Sequence, residues 1–408
     1  MKFWKLNAAH CGLFGGLVFV GYTAALNKDM PLLWIAAPVF LAMLVIGLIG
    51  PWANTWGVRL ERKVASRAQE GDTLELSVTL HNDHWWPRFM VELWDNPLRP
   101  TKDDELHPVL AAPLVGPKES VQMTVHLACE QRGRYVLGPA CLASAFPLGL
   151  LTYGEATTEV PFEVLVYPRE VVIRHVSLEG SSAALSRADR IVRHQNGQSD
   201  FVGLREYRRG DLPKHIHWPS VARHGTLMVR EMEAVAQARL WLTLDCSAAF
   251  NCGKGRHAAG EYAITLAASL ARWAVSQGIP VGATWTDAAR FEVAPRVSTA
   301  HLEQIHTRMA RLALKSAEDA YAQCLTHLAH KVAAGDTVIV VARRQSLTQP
   351  SWLTACHELT QARANIQVLI FDDDSFLLPG KGSSVSPVAL PWPWKLVRCG
   401  QNLAEVFA

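Results

Sequence analysis

The amino-acid sequence predicts a multidomain protein with an N-terminal transmembrane helical hairpin, an antiparallel β-sandwich-like domain and a doubly wound α/β domain. Three patterns support this fold class. The chain opens with two long uncharged runs, its middle alternates apolar and polar residues with a period of two, and its last part alternates strands with amphipathic helices. A chain of 408 residues is long enough for several domains. We expect them at 1–57, 58–170 and 238–408, with a linker and a charged segment at 171–237.

The hairpin is predicted by two apolar runs, Leu6–Leu26 and Met30–Val58, which contain no Asp, Glu, Lys or Arg. A helix needs about 20 apolar residues to cross the hydrocarbon core of a bilayer. We therefore expect helices over about 6–26 and 31–50, joined by a turn at 27–29. A cleaved signal peptide followed by a buried helix is the alternative, but the second apolar run directly behind the first favours the hairpin.

The distribution of basic residues predicts the orientation of this hairpin. Both outer ends carry several Lys or Arg, whereas the turn between the helices carries one Lys and one Asp. The flanking basic residues are Lys2, Lys5, Arg59, Arg62, Lys63 and Arg67. Because positive residues stay on the cytoplasmic side, we expect everything after residue 58 to lie in the cytoplasm. The eight scattered cysteines, none of them in a CxxC pair, agree with reduced thiols in the cytosol.

The segment from Val58 to Pro168 has the alternation of half-buried strands. Thr73–Asn82 (TLELSVTLHN) places its leucines and valine on one face, and similar runs follow with Pro and Gly between them. This pattern predicts an antiparallel sandwich. Trp85 and Trp86 fall in a turn, where they either pack under the loop or anchor it at a nearby membrane surface.

After residue 238 the pattern predicts a mainly parallel sheet with crossover helices. The expected strands are Leu240–Leu244, Val281–Thr286, Thr337–Val341 and Ile366–Phe371. The expected helices are His257–Gln277, His301–Leu314, Ala317–Ala333 and Trp352–Arg363, with a short terminal helix near Asn402–Phe407.

A dense polar segment, Asp200–Glu233, precedes this domain and indicates an interaction surface. Its candidate binding residues are Arg205, Glu206, Tyr207, Asp211, His217, Trp218, Arg223, Arg230 and Glu231. One interpretation is a surface for a partner protein. The other is a partly buried network of ion pairs that holds the segment against the α/β domain, with Arg205, Glu206, Asp211, Arg223, Arg230 and Glu231 as its members.

This segment resembles the signature of a bacterial family called domain of unknown function 58. The matching residues are Gly203-Leu204-Arg205-Glu206-Tyr207, Gly210-Asp211, Ile216-His217-Trp218, Ala222-Arg223 and Val229-Arg230-Glu231. Two more stretches fit the same family, RGRYVLGP at 132–139 and FPLGLL at 146–151. The resemblance implies a protein anchored in the bacterial inner membrane, with a von Willebrand factor type A-like domain and a MoxR-type AAA+ ATPase as its partner.

Such domains resemble this chain at the end of the first strand, where they hold Mg²⁺ through Asp-x-Ser-x-Ser and through oxygen ligands from later loops. Here Asp245 and Ser247 remain, but Ala249 replaces the second serine and Arg343 stands where a second Asp is expected. We therefore expect a degenerate site without Mg²⁺. Arg343, or else Arg344, would supply a cation to Asp245 through a charge-assisted hydrogen bond. Alternatively, both arginines reach into solvent and Asp245 caps the following turn.

The remaining motifs do not favour an enzyme. His215-Ile216-His217 has a spacing that can bind Zn²⁺ in an extended strand, but a hydrogen-bonded structural pair fits as well. The chain contains no G-x-x-x-x-G-K-[ST], G-x-S-x-G or HExxH. A net charge of +3 is low for a dedicated nucleic-acid binder.

These observations favour a non-enzymatic scaffold or adaptor that needs no cofactor and whose partners are the lipid bilayer and the ATPase. Two alternatives remain open. One is a metal-dependent hydrolase that uses Asp245, His215 and His217. The other is an anion or nucleic-acid binder that uses the arginine-rich segment.

Overall fold

The computed structural model describes residues 2–28, 31–95, 107–157, 161–173, 176, 201–208, 213, 216–232, 239–377 and 390–407. The chain divides into two compact units, 1–167 and 168–408.

The first unit contains two long helices and a set of short strands. The helices are α1 (Ala8–Lys28) and α2 (Pro31–Thr55). The strands are β1 (Lys2–Leu6), β2 (Val58–Val64), β3 (Arg67–Gln69), β4 (Thr73–Asn82), β5 (Arg88–Asp95), β6 (His107–Val115), β7 (Ser120–Ala128), β8 (Gly133–Leu137), β9 (Cys141–Ser144), β10 (Leu151–Ala156) and β11 (Phe162–Tyr167).

The two helices pack against each other as the predicted hairpin. The segments Ala8–Leu26 and Trp34–Thr55 are each long and apolar enough to span a membrane. Their large apolar side chains face outward, with Phe19 69% and Ile35 68% exposed. A surface of this kind is stable in lipid and costly in water, so the hairpin indicates membrane anchoring.

The N-terminal residues before the hairpin form a strand that the sequence analysis missed. β1 pairs antiparallel with β10, from Lys2 opposite Glu155 to Leu6 opposite Leu151. Lys2 Nζ lies 3.0 Å from Glu155 Oε1, on the surface. Because β1 precedes α1, the N-terminal end of the hairpin is joined to this sheet, whereas α2 leads into β2, which belongs to a different sheet.

The strands of the first unit form a sandwich. One sheet has the order β1-β10-β9-β5-β6 and another the order β2-β4-β7. Leu76, Val78 and Leu80 of β4 share a buried core with Val91 and Leu93 of β5, so the alternation in β4 points its apolar face at the opposite sheet. In a third sheet, β3-β11-β8, β3 and β11 are parallel, which corrects the expectation of a purely antiparallel domain. Because the two strands run in the same direction, the chain between them must cross from one end of the sheet to the other.

The end of α2 is bound directly to the sandwich, which explains why the helix continues to Thr55 and not to about residue 50. The buried Arg88 guanidinium donates from Nη1 to Ala53 O at 2.5 Å and from Nη2 to Trp56 O at 2.7 Å. Asn54 donates to Ser144 Oγ at 2.8 Å and accepts from Phe89 N at 3.0 Å. The last carbonyls of a helix have no partner within the helix, and here a cation satisfies two of them.

Arg62 has a different environment from the other basic residues near the hairpin. Its side chain is fully buried and pairs with Asp95, which is also buried. It is therefore an internal residue of the sandwich, unlike the exposed Lys2, Lys5 and Arg59.

The second unit alternates strands and helices. Its strands are β12 (Phe201–Glu206), β13 (Met228–Met232), β14 (Leu240–Leu244), β15 (Val281–Thr286), β16 (Arg290–Arg296), β17 (Thr337–Arg343), β18 (Asn365–Phe371) and β19 (Trp394–Val397). Its helices are α3 (Trp218–His224), α4 (Ala259–Ser276), α5 (Thr299–Ala310), α6 (Glu318–Ala329), α7 (Pro350–Gln361) and α8 (Asp373–Leu377).

The main sheet has the order β16-β15-β14-β17-β18-β19 and is parallel except for the edge strand β16. Along the chain, β15 and β16 are added on one side of β14, and β17, β18 and β19 are then added on its other side. The edge strands β16 and β19 were not predicted. The terminal helix expected at 402–407 is one short turn, Leu403–Glu405.

Both faces of this sheet are covered by helices. Leu242 and Leu244 of β14 pack in one buried cluster with residues of α4 and α5. Trp241, which points to the opposite face, packs in a second cluster with Leu325 of α6 and Trp352 of α7. Successive residues of a strand face opposite sides, so a strand covered on both faces is apolar throughout.

The start of the predicted linker also belongs to this unit. Val171 N donates to Ser269 Oγ of α4 at 2.9 Å, and Ile173 and Val176 are buried in the core. Residues 177–200, the Ser-rich and Ala-rich part of the linker, lie outside the described residues.

A buried carboxylate joins the amino ends of β14 and β17. Asp336 is 2% exposed and accepts from Arg239 Nε at 2.9 Å and from Arg239 Nη2 at 2.7 Å. It also accepts from Trp241 Nε1 at 3.2 Å and from Ala333 N at 3.0 Å. This network lies where the two strands begin to pair, with Leu240 opposite Thr337.

Replacement of this carboxylate should destabilise the second unit. We expect Asp336→Ala to lower the free energy of unfolding by about 3 kcal/mol, because it leaves Arg239 and two N–H donors without their partner. Thermal melting of the full chain in detergent measures the effect, and Asp319→Ala, at an exposed position of α6, is the control. An Asp336→Ala melting temperature equal to that of the control would contradict the role of the network.

Candidate functional site

The signature segment folds as a hairpin with a short helix inserted in its connection. β12 and β13 pair antiparallel, with Leu204 opposite Arg230 and Glu206 opposite Met228. Two backbone bonds extend the pairing, Tyr207 N to Leu227 O at 2.8 Å and His217 N to Met228 O at 2.9 Å. The signature residues on both sides of α3 are therefore brought together in space.

His217 marks the start of α3. Its Nδ1 lies 2.7 Å from Ser220 Oγ, and Pro219 occupies the first turn of the helix, where its missing N–H is not needed. The helix ends at Gly225, whose φ of 70° suits glycine. The spacing of His215 and His217 predicts that they share one face of an extended strand. The chain instead turns into α3 directly after His217, and His215 lies outside the described residues.

The candidate binding residues divide by exposure. Trp218 is 64% exposed, and Glu206 and Arg223 are also exposed, as is Leu227 of the same segment at 44%. The expected burial is therefore wrong for Glu206 and Arg223, because a two-stranded sheet offers little surface with which to cover charged side chains. Arg205 and Tyr207 are half-buried.

Part of the expected ion-pair network is not described by the structure. Arg205 Nη1 donates to the backbone carbonyl of Glu206 at 3.1 Å. Asp211 and the side chains of Arg230 and Glu231 lie outside the described residues, so the network stays a prediction for these members.

A second candidate site is the crevice at the carboxyl ends of β14, β17 and β18, the edge at which doubly wound sheets bind ligands. Asp245 and Ser247 are both buried there. Asp245 Oδ1 accepts from Ser247 N at 2.9 Å, and Ser247 Oγ accepts from Phe250 N at 3.2 Å. Asp245 therefore caps the turn after β14, as one of the two sequence interpretations expected.

Arg343 reaches this crevice from the end of β17. Its Nη1 donates to Ala249 O at 3.1 Å, so the guanidinium lies against the loop that follows β14. The strand order predicted this proximity. The direct hydrogen bond between Arg343 and Asp245 stays a prediction.

Three residues of the crevice were not identified from the sequence. Ser316 lies beside Ser247 in a parallel bridge, its N donating to Cys246 O at 2.9 Å. Asp372 and Asp373 follow β18 directly, and Asp372 is 2% exposed with its Oδ2 3.6 Å from Arg398 Nε. The run of three Asp after an apolar strand was the signal that could have revealed them.

The charges of the crevice affect one another. Burial raises the pKa of Asp373, and the nearby Arg343 guanidinium partly opposes this shift. Burial raises the pKa of Cys252, whose Sγ lies 3.7 Å from Asp373 Oδ1, to about 11. The Cys252 thiol is then protonated at neutral pH and is a weak nucleophile. Among the described residues, no three His, Cys, Asp or Glu side chains are grouped so that they could hold a metal ion.

A membrane-type helical hairpin, a β-sandwich and a mixed α/β unit together define a membrane-anchored multidomain protein. Residues 203–386 match the family model described as protein of unknown function DUF58. The resemblance found in the signature residues is thereby confirmed. No curated protein matches the chain in sequence.

Solved structures show weaker likenesses. BatB from Bacteroides thetaiotaomicron is 14% identical over 33% of this chain and 66% of its own, with a TM-score of 0.27. An aerotolerance-related membrane protein from Bacteroides fragilis is 12% identical over 32% of this chain and 66% of its own, with a TM-score of 0.24. A CARDB domain from Pyrococcus furiosus is 16% identical over 27% of this chain and 94% of its own, with a TM-score of 0.20.

Removal of the Asp373 charge should stabilise the fold at neutral pH. The raised pKa means that the Asp373 carboxylate binds a proton more tightly in the folded state than in the unfolded state. Ionisation of Asp373 therefore destabilises the fold above this raised pKa. We expect Asp373→Asn to raise the melting temperature at pH 7 by about 1–2 °C. The gain should shrink as the pH falls towards the usual carboxyl value of 3.8, because the wild-type side chain is then also neutral.

The neighbouring Asp374 is exposed and provides the matched control. Asp374→Asn should leave the melting temperature nearly unchanged at both pH values. A lower melting temperature for Asp373→Asn at pH 7 would show that its pairing with Arg343 outweighs the cost of burial.

Proposed function

We propose that this chain is a non-enzymatic scaffold or adaptor of the bacterial inner membrane. In this account the hairpin anchors it, and a von Willebrand factor type A-like domain is presented in the cytoplasm to a partner, a MoxR-type AAA+ ATPase. The signature hairpin provides the surface for that partner. No cofactor takes part.

The pairing of β1 with β10 supports a retained hairpin over a cleaved signal peptide. Cleavage after α1 would remove the edge strand of the five-stranded sheet together with the helix. The exposed basic residues Lys2, Lys5 and Arg59 near the outer ends of the hairpin favour a cytoplasmic location for the sandwich.

The architecture of the second unit supports the von Willebrand-like assignment. The side of the sheet on which successive strands are added reverses between β14 and β17. Asp245 and Ser247 follow β14 at this switch point. The Arg343 guanidinium lies against the Ala249 carbonyl, where the degenerate motif lacks its second hydroxyl. A cation in this position opposes the binding of Mg²⁺, so we assign the crevice a structural or docking role.

The observation that carries the proposal is the exposure of Trp218 within the signature hairpin. The same segment also exposes Leu227, Glu206 and Arg223, and interfaces combine apolar side chains at the centre with polar ones at the rim. Trp and Arg are also the residues that most often dominate binding energy.

Binding of the ATPase to the full chain in detergent tests this function. Trp218→Ala should weaken binding of a purified MoxR-type ATPase from the same genome at least about tenfold, as expected for an interface hot spot. Trp85→Ala, which removes an exposed indole from the first unit, is the matched control and should bind like the wild type.

Two results would contradict the proposal. One is equal binding by Trp218→Ala and the control, or no binding of the ATPase by the wild type. The other is stoichiometric Zn²⁺ or Mg²⁺ in the purified protein, which would support a metal-dependent hydrolase.

A further inference from the structure

Four exposed tryptophans lie near the point where α2 leaves the hairpin and enters the sandwich. Trp52 and Trp56 belong to the helix end, and Trp85 and Trp86 to the loop between β4 and β5. Their exposed fractions are 43%, 60%, 72% and 56% in that order. Packing under the loop, one of the two roles expected for Trp85 and Trp86, is therefore wrong.

Ring contacts connect the helix end to the loop. Trp52 stacks on Trp56 with ring centroids 5.9 Å apart, and Trp56 contacts His84 at 5.1 Å. The rings of Trp85 and Trp86 meet edge-on at 5.2 Å. The four indoles thus belong to two segments that touch each other.

The backbone of the loop is fixed from inside, so the exposure of its indoles is built into the fold. The buried Asn82 side chain accepts from His84 N at 3.1 Å and donates to Trp86 O at 2.8 Å. Asp83 N donates to Gly57 O at 3.3 Å. A Cβ at Gly57, whose φ is 74°, would lie 2.2 Å from the His84 ring, so only glycine permits this close approach of the loop to the helix end.

The position of these residues along α2 matches the edge of a bilayer. Trp34 and Trp52 lie about 27 Å apart along the helix at 1.5 Å per residue, close to the hydrocarbon thickness of about 30 Å. Trp34 is exposed near the other end of the hairpin. Trp56, one turn beyond Trp52, and the loop that it contacts then fall at the level of the lipid headgroups.

The charges around the β4–β5 loop are compatible with a position at the level of the lipid headgroups. Arg59 and Asp83 form an exposed ion pair, so the carboxylate next to the indoles is neutralised. Lys118 is exposed, and its N donates to His84 O at 3.0 Å. A cation and clustered indoles favour the headgroup region of a membrane that contains anionic lipid.

We propose that Trp52, Trp56, Trp85 and Trp86 form an aromatic collar in the headgroup region of the bilayer that α1 and α2 span. The collar holds the β-sandwich against the membrane surface. This inference rests on the membrane anchor of the proposed function and adds a second, peripheral attachment through the loop. The sandwich is then attached to the membrane at two points, which fixes its orientation.

Photo-crosslinking of the full chain tests the collar. p-Benzoylphenylalanine replaces Trp85 or Trp86 in protein reconstituted into liposomes of phosphatidylethanolamine and phosphatidylglycerol with tritium-labelled acyl chains. We expect the labelled lipid adduct at these positions to exceed that at the control position Val136 about fivefold or more, as interfacial tryptophans contact lipid.

Val136 is a matched control because it is 51% exposed in the same unit. It lies towards the other end of the sandwich. β5 runs from Arg88 at the helix end to Asp95, whose Oδ1 accepts from Gly138 N at 3.3 Å, two residues beyond Val136. A third position, Phe19 in α1, reports on insertion of the hairpin itself.

Each outcome decides a separate point. If Phe19 labels lipid but Trp85 and Trp86 label no more than Val136, the collar is wrong and the anchor stands. If Phe19 also fails to label, the anchor is wrong and the collar with it. Adducts between two protein copies at Trp85 or Trp86 in place of lipid adducts would assign the surface to self-association and overturn the collar.

Discussion

The hydrogen bonds from the Arg88 guanidinium to the last carbonyls of α2 are the interaction on which the arrangement of the first unit depends. A helix that leaves the membrane inside a folded domain exposes carbonyls that neither the helix nor water can satisfy. Burial lowers the pKa of Arg88, but arginine keeps its charge, and a cation at a helix C-terminus is favourable. Asn54, bonded to Ser144 and Phe89, adds a second attachment of the same turn. The helix end and the sandwich are thus one structural piece.

This junction has consequences for the whole first unit. With α2 fixed to the sandwich and β1 paired to β10, both outer ends of the hairpin are held in the same domain. The β4–β5 loop lies against the helix end, which places its indoles where a membrane surface would be. In the proposed function, recognition of a partner belongs to the second unit, whose signature hairpin exposes Trp218 and Arg223.

The sequence predicted the features that arise from local patterns, and missed those that depend on distant contacts. The apolar runs gave the hairpin, and the period-two alternation of Thr73–Asn82 gave β4 and its buried face. β1 could not be found, because KFWKL before an apolar run has the composition of a signal-peptide start and becomes a strand only through β10. The extension of α2 to Thr55 depends on Arg88, 33 residues further along the chain than Thr55. The interaction site in the charged segment stays a prediction, and the exposure of Glu206 required knowledge of how little a two-stranded sheet covers. In the crevice, strand order was enough to place Arg343, whereas Ser316 is brought to Ser247 by a loop whose path no pattern specifies.

The central claim is that the N-terminus, the sandwich and the α/β unit all lie in the cytoplasm. Paired reporter fusions in a bacterial host test it most directly: alkaline phosphatase, active only in the periplasm, and green fluorescent protein, fluorescent only in the cytoplasm. The account predicts that a fusion at Ala408 fluoresces and lacks phosphatase activity, whereas phosphatase fused after Lys28, at the turn of the hairpin, is active. Phosphatase activity at Ala408 would contradict the account, since the partner-binding surface would then lie on the opposite side of the membrane from any cytoplasmic ATPase.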